Sequence, residues 1–100
     1  MEFLTTMITN VPEGTLEEEV ESTKLREAAR SHELATHGHL LRLWKPPVRP
    51  GEWKSLGLWV ADDEAQLQEL LATMPLHSWM TVEVTSLTPH PNDPGNLGSS

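Results

Sequence analysis

The chain has 100 residues, 37% of them hydrophobic, no cysteine, and a formal net charge of −8 at pH 7. This length suits one domain with a modest core, and the lack of cysteine excludes disulfides and thiolate metal sites. The acidic balance argues against nucleic acid or an anionic membrane surface as a partner. No apolar run is long enough to cross a bilayer, and the N-terminus lacks the charge pattern of a signal peptide. We therefore expect a soluble, cytoplasmic protein.

The first third of the chain predicts a strand followed by a long helix. FLTTMIT, residues 3–9, is rich in β-branched and apolar residues, which favours a strand. Thr15 and Glu18 have the spacing of a capping box, and acidic residues follow where the helix dipole favours them. We expect the helix to run from residue 16 to about residue 36, and Gly38 is a typical C-terminal stop.

The rest of the chain predicts three more strands, one more helix and a tail. Residues 39–45 (HLLRLWK) and 53–61 (WKSLGLWVA) have strand composition and are separated by a proline-rich loop. Residues 63–74 (DEAQLQELLATM) form the second predicted helix, and it ends before a proline. Residues 80–87 (MTVEVTSL) alternate apolar and polar side chains, as a half-buried strand does. Residues 92–100 are proline, glycine and small polar residues, which predicts a flexible C-terminal tail.

The order of these elements is β-α-β-β-α-β, the split arrangement of ferredoxin-like α+β domains. We therefore expect a single domain over residues 1–91 whose four-stranded antiparallel sheet carries both helices on one face. The other face of the sheet needs cover, which predicts a homodimer in which two sheets close on each other as a dimeric α+β barrel.

The first helix has an unusual inward face. At about 100° per residue, that face is apolar at both ends and polar in the middle, and its residues are Leu16, Val20, Thr23 or Lys24, Glu27, Ser31, and Leu34 or Ala35. Burying a carboxylate costs several kcal/mol unless it is paired and hydrogen-bonded, so folding alone does not explain the pattern. One interpretation is an ordinary, partly solvated pair of Glu27 and Lys24 near the sheet edge. The other is a carboxylate that lines a cavity and acts as a general base.

Several short motifs point to a known family. They are Gly38 followed by Leu43-Trp44-Lys45, then Pro75-Leu76, Trp79-Met80, Glu83-Val84, Leu87 and His90-Pro91. With these motifs, the chain resembles the muconolactone Δ-isomerase family, small bacterial enzymes of the β-ketoadipate pathway of aromatic-compound breakdown. The C-terminal group of motifs is the more specific part of this resemblance.

The resemblance implies a cofactor-free isomerase that shifts a double bond in a small unsaturated lactone acid, from muconolactone to 3-oxoadipate enol-lactone, by proton abstraction and return. Aligned without gaps from Gly38, Glu27 falls on the family's helix-borne glutamate, the acid/base. The family has a lysine directly after it, where this chain has Ala28. Lys24, one turn earlier, is our candidate for the missing positive charge. Our catalytic candidates are therefore Glu27 and Lys24.

The substrate-binding candidates are Arg42, Trp53 and Ser31. The substrate carboxylate would suit Arg42 or Lys45, but a regular strand places these two on opposite faces, so only one can face the cavity.

The sequence predicts no metal site, because its five histidines form neither a helical i, i+4 pair nor a three-ligand cluster. The resemblance implies that no cofactor is needed, since the conjugated carbonyl of the lactone absorbs the charge. The roles of His77 and His90 stay open. The alternative function is a non-catalytic small-molecule-binding protein on the same dimeric α+β-barrel scaffold.

Overall fold

The computed structural model describes residues 1–97, and these form a single sheet with helices on one side. In chain order the elements are β1 (Glu2–Thr9), α1 (Glu17–Thr36), β2 (Leu40–Trp44), β3 (Lys54–Val60), α2 (Glu64–Ala72), a 3₁₀ helix (Pro75–Trp79), β4 (Met80–Leu87) and a helical turn, α3 (Pro94–Leu97). The strand order is β2-β3-β1-β4, and every pairing is antiparallel. This confirms the β-α-β-β-α-β order expected from the sequence.

The helix-covered face of the sheet contains the core. Side chains of β1 alternate, so that Phe3, Thr5 and Met7 are buried toward the helices. Trp59 is fully buried beside them, and its indole N–H donates to the Thr5 hydroxyl at 2.9 Å. A side chain at Gly57 would begin only 2.7 Å from the indole nitrogen, so glycine at this position lets the indole pack against the strand.

The ends of α1 show one correction and one confirmation. The predicted capping box is wrong: the Thr15 hydroxyl donates to the Pro12 carbonyl at 2.6 Å, and no side chain caps α1. Helix α1 begins at Glu17, so Leu16 precedes its first turn. The Leu16 side chain is 69% exposed and does not face the sheet as predicted. The C-terminal stop is confirmed, because Gly38 has φ +81° and its N–H donates to the Ala35 carbonyl at 3.0 Å.

An irregularity in β2 changes which of its side chains face the helices. Leu40 pairs with Trp59, but the next paired residue is Arg42, opposite Leu58, so Leu41 is an extra residue in the strand. Such a bulge reverses the alternation of side chains beyond it. Leu43, opposite the buried Gly57, consequently faces the helices, and Arg42 faces the other way.

Among the described residues, neither α1 nor α2 covers the second face of the sheet, which we call the helix-free face. Its centre is apolar and only half-buried in the single chain, with side chains from Leu4, Ile8, Leu56, Leu58 and Val60. Leu87 and Trp44 extend this surface and are 37% and 40% exposed.

The C-terminal residues leave the sheet after β4. Pro94–Leu97 forms one helical turn within the predicted flexible tail of residues 92–100, and residues 98–100 of that tail lie outside the described residues. Among the described residues, no helix is both long and apolar enough to cross a bilayer.

Candidate active site

A pocket of about 430 Å³ lies between α1 and the helix-covered face of the sheet. Three parts of the fold form its wall: the sheet through Met7, Thr9, Leu43, Ser55 and Met80, helix α1 through Lys24, Glu27, Ala28 and Ser31, and the loops and 3₁₀ helix through Trp53, Met74 and Leu76. Most of these side chains are apolar, so a small organic ring fits this environment better than a hydrated ion.

Glu27 supplies the carboxylate of this pocket, and it is partly buried. Its Oε1 accepts a hydrogen bond from the backbone N–H of Leu76 at 2.9 Å. Burial raises the pKa of Glu27 above its ordinary value, while the Leu76 hydrogen bond and the charge of the nearby His77 act in the opposite direction. Because burial outweighs the other two effects, the carboxyl group takes up a proton more readily than an exposed glutamate.

Lys24 lies at the rim of the pocket. Its ammonium is 5.2 Å from the centre of the Trp53 ring, a cation–π distance, and 3.4 Å from Oε1 of Glu21. The side chain remains 47% exposed. Among the described side chains, the ion pair of Lys24 is with Glu21 rather than Glu27, so the interpretation of Glu27 and Lys24 as an ordinary surface pair is wrong.

The structure brings four of the five sequence candidates together. Glu27, Lys24, Ser31 and Trp53 all line the same pocket. Arg42 does not, because the bulge in β2 turns it to the opposite face of the sheet, where its guanidinium lies 5.1 Å from the Trp44 ring centre.

Four further groups at the site were not among the sequence candidates. Thr9 and Ser55 place hydroxyl groups on the pocket wall, the Leu76 amide binds the carboxylate, and His77 lies near enough to act on its charge. Thr9 has a sequence signal, since the alternation of β1 places it on the same face as Met7. The Leu76 amide has none, because every residue except proline carries that donor.

Together these features define a class of protein: a ferredoxin-like α+β domain with a partly buried carboxylate in a small apolar pocket, an arrangement able to transfer protons to and from a bound ring. Within residues 1–97, no group of three or more His, Cys, Asp or Glu side chains is placed to hold a metal ion.

Comparison with known proteins identifies the family. The sequence model of the muconolactone delta-isomerase family matches residues 1–93. Muconolactone Delta-isomerase 1 of Acinetobacter lwoffii is 32% identical over 92 residues, which cover 92% of this chain and 93% of that protein. The chain belongs to the muconolactone delta-isomerase family.

Solved structures agree on the fold. A crystal structure of muconolactone isomerase is similar with a TM-score of 0.83 at 22% identity, covering 94% of this chain and 95% of that one. A 5-chloro-2-hydroxyhydroquinone dehydrochlorinase from Burkholderia phenoliruptrix is similar with a TM-score of 0.59 at 10% identity, covering 90% and 98%. At these identities the similarity confirms the ferredoxin-like α+β fold.

The raised pKa of Glu27 predicts that its ionised form costs stability. Between the unfolded and folded pKa values of Glu27, the folded state binds more protons than the unfolded state. The contribution of Glu27 to the free energy of unfolding is therefore highest at low pH and falls as the pH rises through the folded pKa. Glu27→Gln keeps an oxygen for the Leu76 N–H and removes the charge. We expect it to stabilise the protein at pH 7, by about 1.4 kcal/mol for each unit by which the pKa is raised.

Urea unfolding at several pH values measures this difference. The gain should disappear as the pH falls below the ordinary glutamate pKa of about 4.3, since both side chains are then neutral. Glu18→Gln removes the same charge from an exposed position of α1 and should show no such pH-dependent gain. A loss of stability in Glu27→Gln at pH 7 would contradict the conclusion that burial outweighs the hydrogen bond and the His77 charge in setting the pKa of Glu27.

Proposed function

We propose that the protein is a cofactor-free isomerase that converts muconolactone, a small unsaturated lactone acid, into 3-oxoadipate enol-lactone. Family membership and the muconolactone isomerase that is 32% identical support this reaction. The observation that carries it in this chain is the position of Glu27, a partly buried carboxylate with a raised pKa on the wall of a pocket large enough for the ring.

Glu27 is the single base of the proposed reaction. It removes the proton from the ring carbon γ to the carbonyl, and the C–H electrons enter the conjugated system, so that negative charge develops on the carbonyl oxygen as a dienolate. The protonated Glu27 then returns the proton to the α carbon, which leaves the double bond between the β and γ carbons. Because Oε1 accepts from Leu76, we assign proton transfer to Oε2.

The dienolate oxygen needs a positive or hydrogen-bonding group. We assign this role to Lys24, three residues before Glu27 on the same helix and in contact with the Trp53 ring across the pocket rim. Ser31, one turn after Glu27, and the Trp53 side chain are the proposed substrate-binding groups. One well-placed donor to a developing oxyanion contributes about 3–4 kcal/mol in other enzymes.

Replacing Glu27 tests the reaction. The wild-type protein should convert muconolactone, followed by the loss of conjugated-lactone absorbance, and Glu27→Gln should lower kcat by about 10²–10⁴-fold, the usual contribution of a general base. Glu18→Gln serves as the matched control on the same helix and should retain activity.

Two outcomes would reject the isomerase as proposed: no turnover by the wild type, or undiminished turnover by Glu27→Gln. Binding of the lactone without conversion would instead support the alternative, a non-catalytic small-molecule-binding protein on this scaffold.

We also propose that residues 1–91 form the catalytic domain and that the protein acts in the cytoplasm as a homodimer, with higher homo-oligomers built from it. The half-buried apolar side chains on the helix-free sheet face support the dimer, since monomeric proteins rarely leave such a continuous surface to water.

Sedimentation velocity tests the dimer. Wild-type protein should sediment as a dimer or a multiple of it, and Leu58→Glu, at the centre of the helix-free face, should dissociate it because a charge would be buried without a partner. Gln68→Glu, on the exposed side of α2, adds the same charge and should leave the assembly intact. A monomeric wild-type protein would contradict the proposal.

A further inference from the structure

We propose that a second pocket, next to the one that holds Glu27, binds the carboxylate of the substrate, and that Lys45 is the residue that recognises it. This inference rests on the proposed function, because it takes the substrate to be a lactone that carries a carboxylate side arm.

The two pockets adjoin. The second one has a volume of about 400 Å³ and shares three wall residues with the first: Leu43, Trp53 and Ser55. Beyond this common wall it differs in charge, since it adds the lysines Lys45 and Lys54. Lys54 pairs with Ile8, whose side chain lies on the helix-free face, so Lys45 is the lysine of this pocket on the side of the first one. A molecule whose ring lies beside Glu27 can therefore extend an arm past the shared wall toward Lys45.

The Lys45 ammonium is available to a ligand. Among the described side chains, no carboxylate lies within 4.0 Å of Lys45 or Lys54. The one carboxylate on the pocket wall is that of Glu52, and it is engaged by Arg49, through the backbone N–H at 3.3 Å and the guanidinium Nε at 4.0 Å.

The positive charge of residues 40–60, which surround the second pocket, favours an anionic ligand. Residues 40–60 contain four basic residues and one acidic residue, a net charge of +3, in a chain whose net charge is −8. The acidic surface of the rest of the protein repels an anionic ligand, and residues 40–60 attract it. The local field therefore favours approach of a carboxylate at the second pocket.

The bulge at Leu41 determines whether Arg42 of β2 or Lys45, directly after β2, reaches this region. Without it, Arg42 would share the face of Leu40, and Lys45 would lie on the opposite side. With it, Leu43 turns toward the helices, and Lys45, two residues further on, lines the second pocket beside it. Arg42 instead packs against Trp44 on the helix-free face.

The chemistry of the reaction requires the same separation. A substrate carboxylate beside Glu27 would place two like charges together and oppose the ionised base. In muconolactone the carboxymethyl arm is attached to the γ carbon, which is also the carbon that loses its proton. Holding the arm at Lys45 therefore turns the C–H bond of that carbon toward Glu27, so binding of the arm also orients the reacting bond.

A pair of unreactive probes tests the assignment independently of turnover. The probes are the saturated lactone 5-oxotetrahydrofuran-2-ylacetic acid and its methyl ester, with affinities measured by calorimetry or NMR titration. The wild type should bind the acid more tightly than the ester. Lys45→Met should lower the affinity for the acid by about tenfold or more and leave the affinity for the ester unchanged. Lys45→Arg should retain most of the affinity for the acid.

Arg42→Met is the matched comparison, because it removes the same charge three residues earlier, on the opposite face of the sheet. It should lower the affinity for the acid much less than Lys45→Met does. With muconolactone itself, Lys45→Met should raise KM with a smaller effect on kcat, whereas Glu27→Gln acts on kcat.

Three results would overturn the inference: equal binding of acid and ester by the wild type, unchanged binding of the acid by Lys45→Met, or an equal loss in Arg42→Met. Because these titrations need no catalysis, they can fail while the isomerase activity stands, and they can succeed when muconolactone is not turned over.

Discussion

The site depends on one hydrogen bond, from the backbone N–H of Leu76 to the carboxylate of Glu27 at 2.9 Å. It joins α1 to the first turn of the 3₁₀ helix, where backbone N–H groups have no partner within the helix. The same bond fixes the orientation of the carboxylate and favours its charged form, while burial favours the neutral form and has the larger effect on the pKa. The result is an oriented base that both accepts and releases a proton readily.

The fold and the position of Glu27 could be predicted because both follow from periodic patterns. Alternation in β1 and β4 separates the two faces of the sheet, and β4 has the predicted bounds, Met80–Leu87. The helical period of α1 placed Glu27 toward the sheet, on the same face as the apolar residues at both ends of the helix. Thr23 and Leu34, which belong to the same predicted face, are buried.

The remaining features depend on contacts that a periodic pattern does not contain. The bulge in β2 lies at Leu41, next to Leu40. Because either leucine suits the core, the sequence does not show where the alternation of side chains reverses. Thr15 has the spacing of a capping residue, but a nearby carbonyl, that of Pro12, accepts its hydroxyl instead. The contact of Lys24 with Trp53 depends on a loop conformation that no local signal specifies.

Titration of Glu27 itself tests its role as the base most directly. Carbon-13 NMR of the side-chain carboxyl, with the Leu76 amide shift as a second reporter of the same hydrogen bond, measures its pKa in the folded protein. We expect a midpoint above the ordinary glutamate pKa of about 4.3, with the same value from both nuclei. A midpoint at or below that value would mean that Glu27 behaves as a solvated or charge-paired carboxylate, and would contradict its role as the base of the pocket.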